Sequence, residues 1–209
     1  PSLLYTRMLA CAYRTPAIHA EVRGVLTNTV FTDAYRGAGI PESAYVVERL
    51  VDKAGRETGL GAVEIRRRNV ILAAQMPYVS PMEITYDSGD FEKNLEDCIS
   101  FADWFGFPQR RALAHDRGKL RGIGMALYVE STVGDTNESI TIQFNDNDSV
   151  TLTGGTKSSG QGHGTVFSQF LHETLGVPFE KIIYEEGDTD TLPQGGGSGG
   201  SRSTYMIGV

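Results

Sequence analysis

The chain has 209 residues, 40% of them hydrophobic and 22% charged, with a formal net charge of −7. That size suits one large domain or two small ones. The acidic balance argues against a nucleic-acid partner, because phosphate binding draws on clustered Lys and Arg. The one basic cluster, Arg66-Arg67-Arg68, follows a predicted helix and is expected to be its solvated end. No run approaches the ~20 apolar residues of a membrane span, and no signal peptide is visible. Cys11 and Cys98 lie far apart without metal spacing. They do not indicate a disulfide framework, which fits a reducing, cytoplasmic compartment. The chain opens on Pro1 and stops directly after Tyr205-Met206-Ile207-Gly208, so the expectation is a piece of a longer protein.

In chain order, residues 17–32 favour strands, with Ile18, Val22, Val25, Thr27, Thr29, Val30 and Phe31, and with a turn or bulge at Gly24. Pro41 suits the first turn of a helix and Glu42 complements its positive end. Ala44, Val47, Leu50, Val51 and Ala54 continue at helical spacing until Gly59. A short helix over 61–69 follows. Residues 73–90 hold Pro77, Pro81 and Gly89 with little periodicity, and a boundary between two substructures is expected there, dividing 1–80 from 81–209. Leu95, Cys98, Ile99, Ala102 and Phe105 mark an amphipathic helix that ends near Gly106 and Pro108, with Cys98 as a buried thiol on its apolar face. Gly122–Ser131 reads as a buried strand. Ile140, Ile142 and Phe144 alternate as in a half-buried strand, Asn145–Asp148 is a turn, and Val150 and Leu152 complete a hairpin. Val166, Phe167, Phe170, Leu171, Thr174 and Leu175 form one helical face, ended by Gly176 and Pro178, and residues 181–185 form a strand. Helices and hairpins in separate runs predict an α+β fold with mixed sheets, hairpins and flanking helices.

Two segments are built for ligand contact. Gly154-Gly155-Thr156-Lys157-Ser158-Ser159-Gly160-Gln161-Gly162-His163-Gly164 joins a strand to a helix. Its glycines permit positive φ and close approach of a ligand, and the helix start offers unpaired N–H groups and a positive dipole end. Gly195-Gly196-Gly197-Ser198-Gly199-Gly200-Ser201-Arg202-Ser203 repeats this chemistry, with three hydroxyls and a cation before a helix at Thr204. Flexible surface loops are the alternative for both. The standard nucleotide motifs do not fit. Thr156 stands where a P-loop needs Gly before Lys-Ser, and the Gly160–Gly164 spacing is not that of a dinucleotide fingerprint. His172-Glu173 lacks the second His of a zinc-protease helix and reads as exposed helix surface. His163 is open between ligand, hydrogen-bond donor and helix-start residue, with no His or Cys nearby to share a metal. Asn145-Asp146-Asn147-Asp148 lacks the length and distal Glu of a calcium loop. Asp188 and Asp190 read either as paired carboxylates or as an Asx-type turn.

Taken together and in order, three motifs become specific. Ala34-Tyr35-Arg36-Gly37-Ala38-Gly39, with Pro41-Glu42 and the helix through Arg67-Arg68-Asn69, resembles the molybdenum-site loop of the large subunits of the xanthine dehydrogenase, aldehyde oxidase and carbon monoxide dehydrogenase family. Gly155–His163 is similar to a pterin-contacting loop of that family, and Gly187-Asp188-Thr189-Asp190 with Gly199-Gly200-Ser201-Arg202-Ser203 to another. The resemblance implies a molybdopterin-binding fragment, residues 1–80 being the end of a first subdomain and 81–209 the start of a second. It implies that Arg36 lies beside the molybdenum. Arg36, Gly37, Ser159, Gly160, Gln161, Gly162, Gly199, Gly200, Ser201 and Ser203 would contact the cofactor, which likeness to bacterial members implies to be the cytosine dinucleotide form; no residue of the chain is assigned as a metal ligand. The implied reaction is hydroxylation of an aldehyde or N-heterocycle with oxygen from water. Its catalytic Glu would lie outside these residues, and its electrons would pass to iron–sulfur and FAD domains or subunits. The carbon monoxide enzymes carry a Cys in the metal-site loop, and Arg36-Gly37-Ala38-Gly39 has none, which disfavours carbon monoxide as substrate. A cofactor-free structural or interaction domain and a phosphate- or nucleotide-binding module are the competing readings.

Overall fold

The computed structural model describes residues 2–31, 33–132, 138–192 and 195–207. The fold is α+β, in two compact units, Pro1–Glu130 and Ser131–Val209. No helix among the described residues is long and apolar enough to cross a membrane.

The first unit is mainly helical. After α1 (Ser2–Arg7), Tyr13 forms an antiparallel bridge with Val70, and Ile71 N–H donates to the Ala12 carbonyl at 2.9 Å. α2 (Ile40–Glu57) starts with Pro41 in its first turn and closes at Thr58, whose N–H and hydroxyl both donate to the Ala54 carbonyl. α3 (Gly61–Asn69) follows as expected. Ala44, Val47 and Val51 of α2 pack on a buried cluster of Cys11, Ala12, Tyr13, Val70 and Leu127. The low-periodicity stretch is a small hairpin, β1 (Tyr78–Val79) against β2 (Thr85–Tyr86), preceded by a 3-10 turn at Ala73–Gln75. Tyr86 anchors it by donating its hydroxyl to the Cys11 carbonyl at 2.8 Å. α4 (Phe91–Phe101) is capped by the Asp90 carboxylate, which accepts from Lys93 N–H. Its Leu95 and Ile99 pack with Val63 of α3.

Several expectations for this unit are corrected. Residues 17–31 form no strand, and Val25, Leu26, Val30 and Phe31 are exposed. β propensity makes a strand only where another strand completes its ladder, and none of the described residues does so here; Thr32 lies outside them. Gly122–Ser131 likewise carries strand-like residues without a ladder, and only Leu127 of it is buried. Cys98 is exposed, because α4 turns its Leu95 and Ile99 stripe toward α3 and leaves Cys98 beside it. Pro108 does not end a helix. It sits in the first turn of α5 (Phe107–His115), the position where a missing N–H costs nothing. The basic cluster is not a solvated end. Arg66 is fully buried, Arg67 pairs with Glu96, and only Arg68, paired with Glu64, stays largely in solvent.

Arg66 is held by the carboxylates across from it. Its Nη2 lies 2.6 Å from Glu48 Oε2 and its Nη1 2.9 Å from Asp52 Oδ1. Further guanidinium N–H groups donate to the Ala62 and Met125 carbonyls, and Tyr13 donates to Glu48 Oε1 at 2.5 Å. A charge this deep persists only when paired and hydrogen-bonded on all sides.

The second unit carries a three-stranded sheet in the order β3 (Ile140–Phe144), β4 (Val150–Gly154), β5 (Ile182–Glu186). β3 and β4 form the expected hairpin through the turn at Asn145–Asp148, with Ile142 opposite Leu152. α6 (His163–Leu175) then crosses over so that β5 runs parallel to β4, Gly154 opposite Glu186. Val150 and Leu152 bury against Phe167 and Leu171 of α6 and Ile207 of the short α7 (Ser203–Ile207). Ile140, Ile142 and Phe144 stand on the same face but are exposed, where a half-buried strand was expected. β3 is the edge strand, and none of its three apolar residues joins the cluster that α6 covers.

Candidate functional site

The parallel register decides which loops meet. Gly154 and Glu186 are the last residues of neighbouring parallel strands. The segments that leave them, 155–162 and 187–192, therefore emerge together at the carboxyl ends of the two strands, where ligands of α/β units bind. The second Gly-rich segment joins them. Gly195 packs so tightly on Gly155 that a Cβ at 195 would stand 2.4 Å from the Gly155 carbonyl oxygen. Ser198 donates its hydroxyl to the Lys157 carbonyl. Arg202, the expected cation of this segment, is buried and spent internally: its Nη2 lies 2.7 Å from Glu138 Oε1 and donates to the Gly197 carbonyl at 3.0 Å. These are structured loops, not slack connections.

Within the first loop the donors sort into two sets. Ser158 N–H is taken by the Glu186 carboxylate, 2.9 Å from each oxygen. Ser159 N–H is taken by the Gln161 side-chain oxygen. The amide NH2 of Gln161 and the backbone N–H groups of Gly160–Gly162 form the second set and lie on exposed residues just before α6, whose Thr165 and Val166 N–H groups donate to the Gly162 carbonyl. Ser159, Gly160, Gln161 and Gly162 are all exposed there, as are Gly199, Gly200 and Ser201 on the second segment, with Ser203 half-buried at the start of α7. A neutral amide, several N–H groups and hydroxyls, and a helix start suit a polar, anionic, hydrogen-bond-accepting group such as a pterin pyrophosphate. The donor set fits that group.

Below the loop lies a layer that local motifs did not reveal. Thr156 is fully buried, and its hydroxyl is 3.5 Å from His163 Nδ1. His163, the first residue of α6, is buried against Phe167, with Nδ1 3.8 Å from Glu186 Oε2. Tyr184 points its hydroxyl at the Thr156 carbonyl, 3.5 Å away. Burial, and then the neighbouring Glu186 carboxylate, hold that phenol above its ordinary pKa. His163 is thus a buried helix-start residue, and His172 is exposed in the last turn of α6, its Nδ1 2.7 Å from the Val177 carbonyl. The Asp188 question resolves to a turn: its carboxylate accepts from Asp190 N–H at 2.9 Å. Among the described residues no three His, Cys, Asp or Glu side chains group as a metal site.

Arg36 and Gly37 belong to the first unit. Arg36 is exposed on a turn that leads into α2. The turn is tight: Ala38 N–H donates to the Tyr35 carbonyl and Ile40 N–H to the Gly37 carbonyl. Gly37 has φ +97°, and a Cβ there would meet the Pro41 ring at 2.5 Å. The spacing Gly37-x-x-x-Pro41 is therefore a steric requirement of presenting Arg36 beside a proline-started helix.

Two molybdopterin cofactor-binding domain descriptions match the chain, one over residues 2–70 and the other over residues 97–209. The chain belongs to the molybdopterin cofactor-binding family of molybdenum-binding large subunits. It is 31% identical to the nicotine 6-hydroxylase large subunit of Paenarthrobacter nicotinovorans, over 94% of this chain and 25% of that protein. It is 33% identical to the carbon monoxide dehydrogenase large chain of Hydrogenophaga pseudoflava, over 95% of this chain and 27% of that protein. Among solved structures, quinoline 2-oxidoreductase from Pseudomonas putida 86 superposes with a TM-score of 0.90 at 30% identity, covering 99% of this chain and 28% of that one. The chain thus spans about a quarter of the length of the relatives it matches.

Proposed function

We propose that the chain is part of a molybdenum hydroxylase that oxidises an aldehyde or N-heterocycle with water-derived oxygen, and that these 209 residues are inactive by themselves. The observation that carries this reading is the junction of the 155–162, 187–192 and 195–203 segments at the ends of β4 and β5 in a chain of this family. Ser159, Gly160, Gln161 and Gly162 hold the pterin from one side, and Gly199, Gly200, Ser201 and Ser203 from the other. Arg36 and Gly37 would serve the molybdenum end, Arg36 as a neighbour of the metal. When bound, the molybdenum cofactor supplies the redox chemistry, while the protein supplies position and hydrogen bonds. The domain division follows the same reading: 1–80 closes a first molybdopterin-binding subdomain and 81–209 opens a second. The family matches at 2–70 and 97–209 lie on either side of that boundary and support it.

The cofactor is read as the cytosine dinucleotide form, with iron–sulfur clusters and FAD on partner domains or subunits, in the cytoplasm. Relatives described as a large subunit, a large chain and a complex subunit gamma support partner subunits. The absence of Cys from Arg36-Gly37-Ala38-Gly39, and the relatives described as nicotine 6-hydroxylase and quinoline 2-oxidoreductase, favour an N-heterocycle over carbon monoxide. Metal and pterin analysis of the purified full-length protein tests the proposal. Stoichiometric molybdenum with a cytidine-bearing pterin is expected; a folded protein with neither would overturn it.

A further inference from the structure

We propose that Glu186 is the positioning residue of the first Gly-rich loop, an internal anion that holds Ser158 and thereby sets the shape of residues 158–162 before any cofactor arrives. The proposal rests on the molybdopterin reading for its consequence, but the clamp itself is a property of the second unit. Three observations carry it. The Glu186 carboxylate accepts the Ser158 N–H with both oxygens at 2.9 Å, although the two residues are separated by the whole of α6. The carboxylate is four-fifths buried, so the contact works in a weakly screened setting. The groups around it close the remaining sides: His163 Nδ1 at 3.8 Å from Glu186 Oε2, Thr156 Oγ1 against the same imidazole, and the Tyr184 hydroxyl facing both the Thr156 carbonyl and Glu186.

The chemical consequence is selective. A loop of glycines and serines has high conformational entropy, and a ligand that must order it binds more weakly by that cost. Charge-assisted hydrogen bonds accepted by a buried carboxylate are among the stronger local restraints available. Glu186 spends one backbone donor, that of Ser158, to fix the loop. The residues that follow, Gly160–Gly162, are exposed and keep their donors for a ligand in this reading. Glu186 acts through Ser158.

The test uses the full-length protein with Glu186→Ala and Glu186→Gln. Backbone hydrogen exchange is followed at residues 157–163 and at β4 and β5 as internal controls, with and without removal of cofactor. Pterin release is followed separately. With Glu186→Ala, exchange at Ser158 and Ser159 is expected to rise by about tenfold or more while β4 and β5 keep their protection, and pterin is expected to dissociate faster by a similar factor. Glu186→Gln, which keeps one acceptor oxygen, recovers part of both effects. Unchanged exchange at 157–162 in folded Glu186→Ala would overturn the clamp, and so would an equal rise across β4 and β5, which would make Glu186 a general stability residue. If the parent protein holds no pterin, the functional reading fails, and the exchange arm still decides the clamp.

Discussion

Ala38 holds φ +50° between Gly37 at +97° and Gly39 at +105°, in the turn that presents Arg36. A Cβ in that region costs on the order of 1 kcal/mol, so Ala38→Gly should leave the fold intact and raise stability slightly in urea unfolding. Gly37→Ala should do the opposite, because the new methyl meets the Pro41 ring; a loss of about 1–3 kcal/mol is expected. An unchanged midpoint for Gly37→Ala would mean the turn does not have this shape. Arg66 belongs to the same scale. Replacing it with Ala strands the buried Glu48 carboxylate without its cation, and about 3–5 kcal/mol of stability should be lost. Arg66→Lys keeps the charge but cannot reach Glu48, Asp52 and two carbonyls together, so its denaturation midpoint should fall between the two.

α3 and α4 meet through Val63, Leu95 and Ile99, and the Arg67–Glu96 pair spans the rim of that contact. The Arg67 guanidinium donates to both Glu96 oxygens and holds that carboxyl below its ordinary pKa. Both side chains are more than a third exposed, so a double-mutant cycle with Arg67→Ala and Glu96→Ala should give a coupling of only about 0.2–1 kcal/mol. Because the folded pKa is depressed, the coupling is present above the ordinary carboxylate range and is lost as pH falls through the folded value. A coupling that persisted in strong acid would assign the contact to packing instead. At the element scale α2, α3, α6 and the β3–β4 hairpin were legible, since each has a period, a start signal or a turn of its own. Residues 17–31 and 122–131 were not, because strand-forming residues describe a preference and a ladder needs a second strand.

For the first unit as a whole, the buried hydroxyl and thiol groups set an alkaline limit. Burial first, and then neighbouring negative groups, push Cys11 from 9.0 up to about 12 and Tyr86 from 10.0 up to about 12, and raise Tyr13 further. Folded pKa values above unfolded ones mean that the unfolded chain releases its protons earlier. Stability is therefore full below the unfolded values and falls as pH rises toward about 12. Urea midpoints of the first unit should drop steadily from about pH 9 upward, and Tyr86→Phe should flatten the slope while lowering the neutral-pH midpoint through loss of the Cys11 carbonyl contact. A flat profile would show these groups to be solvated. The sequence by itself determined the family, the α+β class, the two Gly-rich segments and the Arg36 turn, because each is carried by residues close together in the chain. The tertiary structure alone decided that Arg66 is an internal ion, that Arg202 is spent on Glu138, and that Glu186 holds Ser158. Those partners lie 18 to 64 residues apart in the chain, and only tertiary packing, with the parallel β4–β5 register in the case of Glu186, brings them within hydrogen-bonding distance.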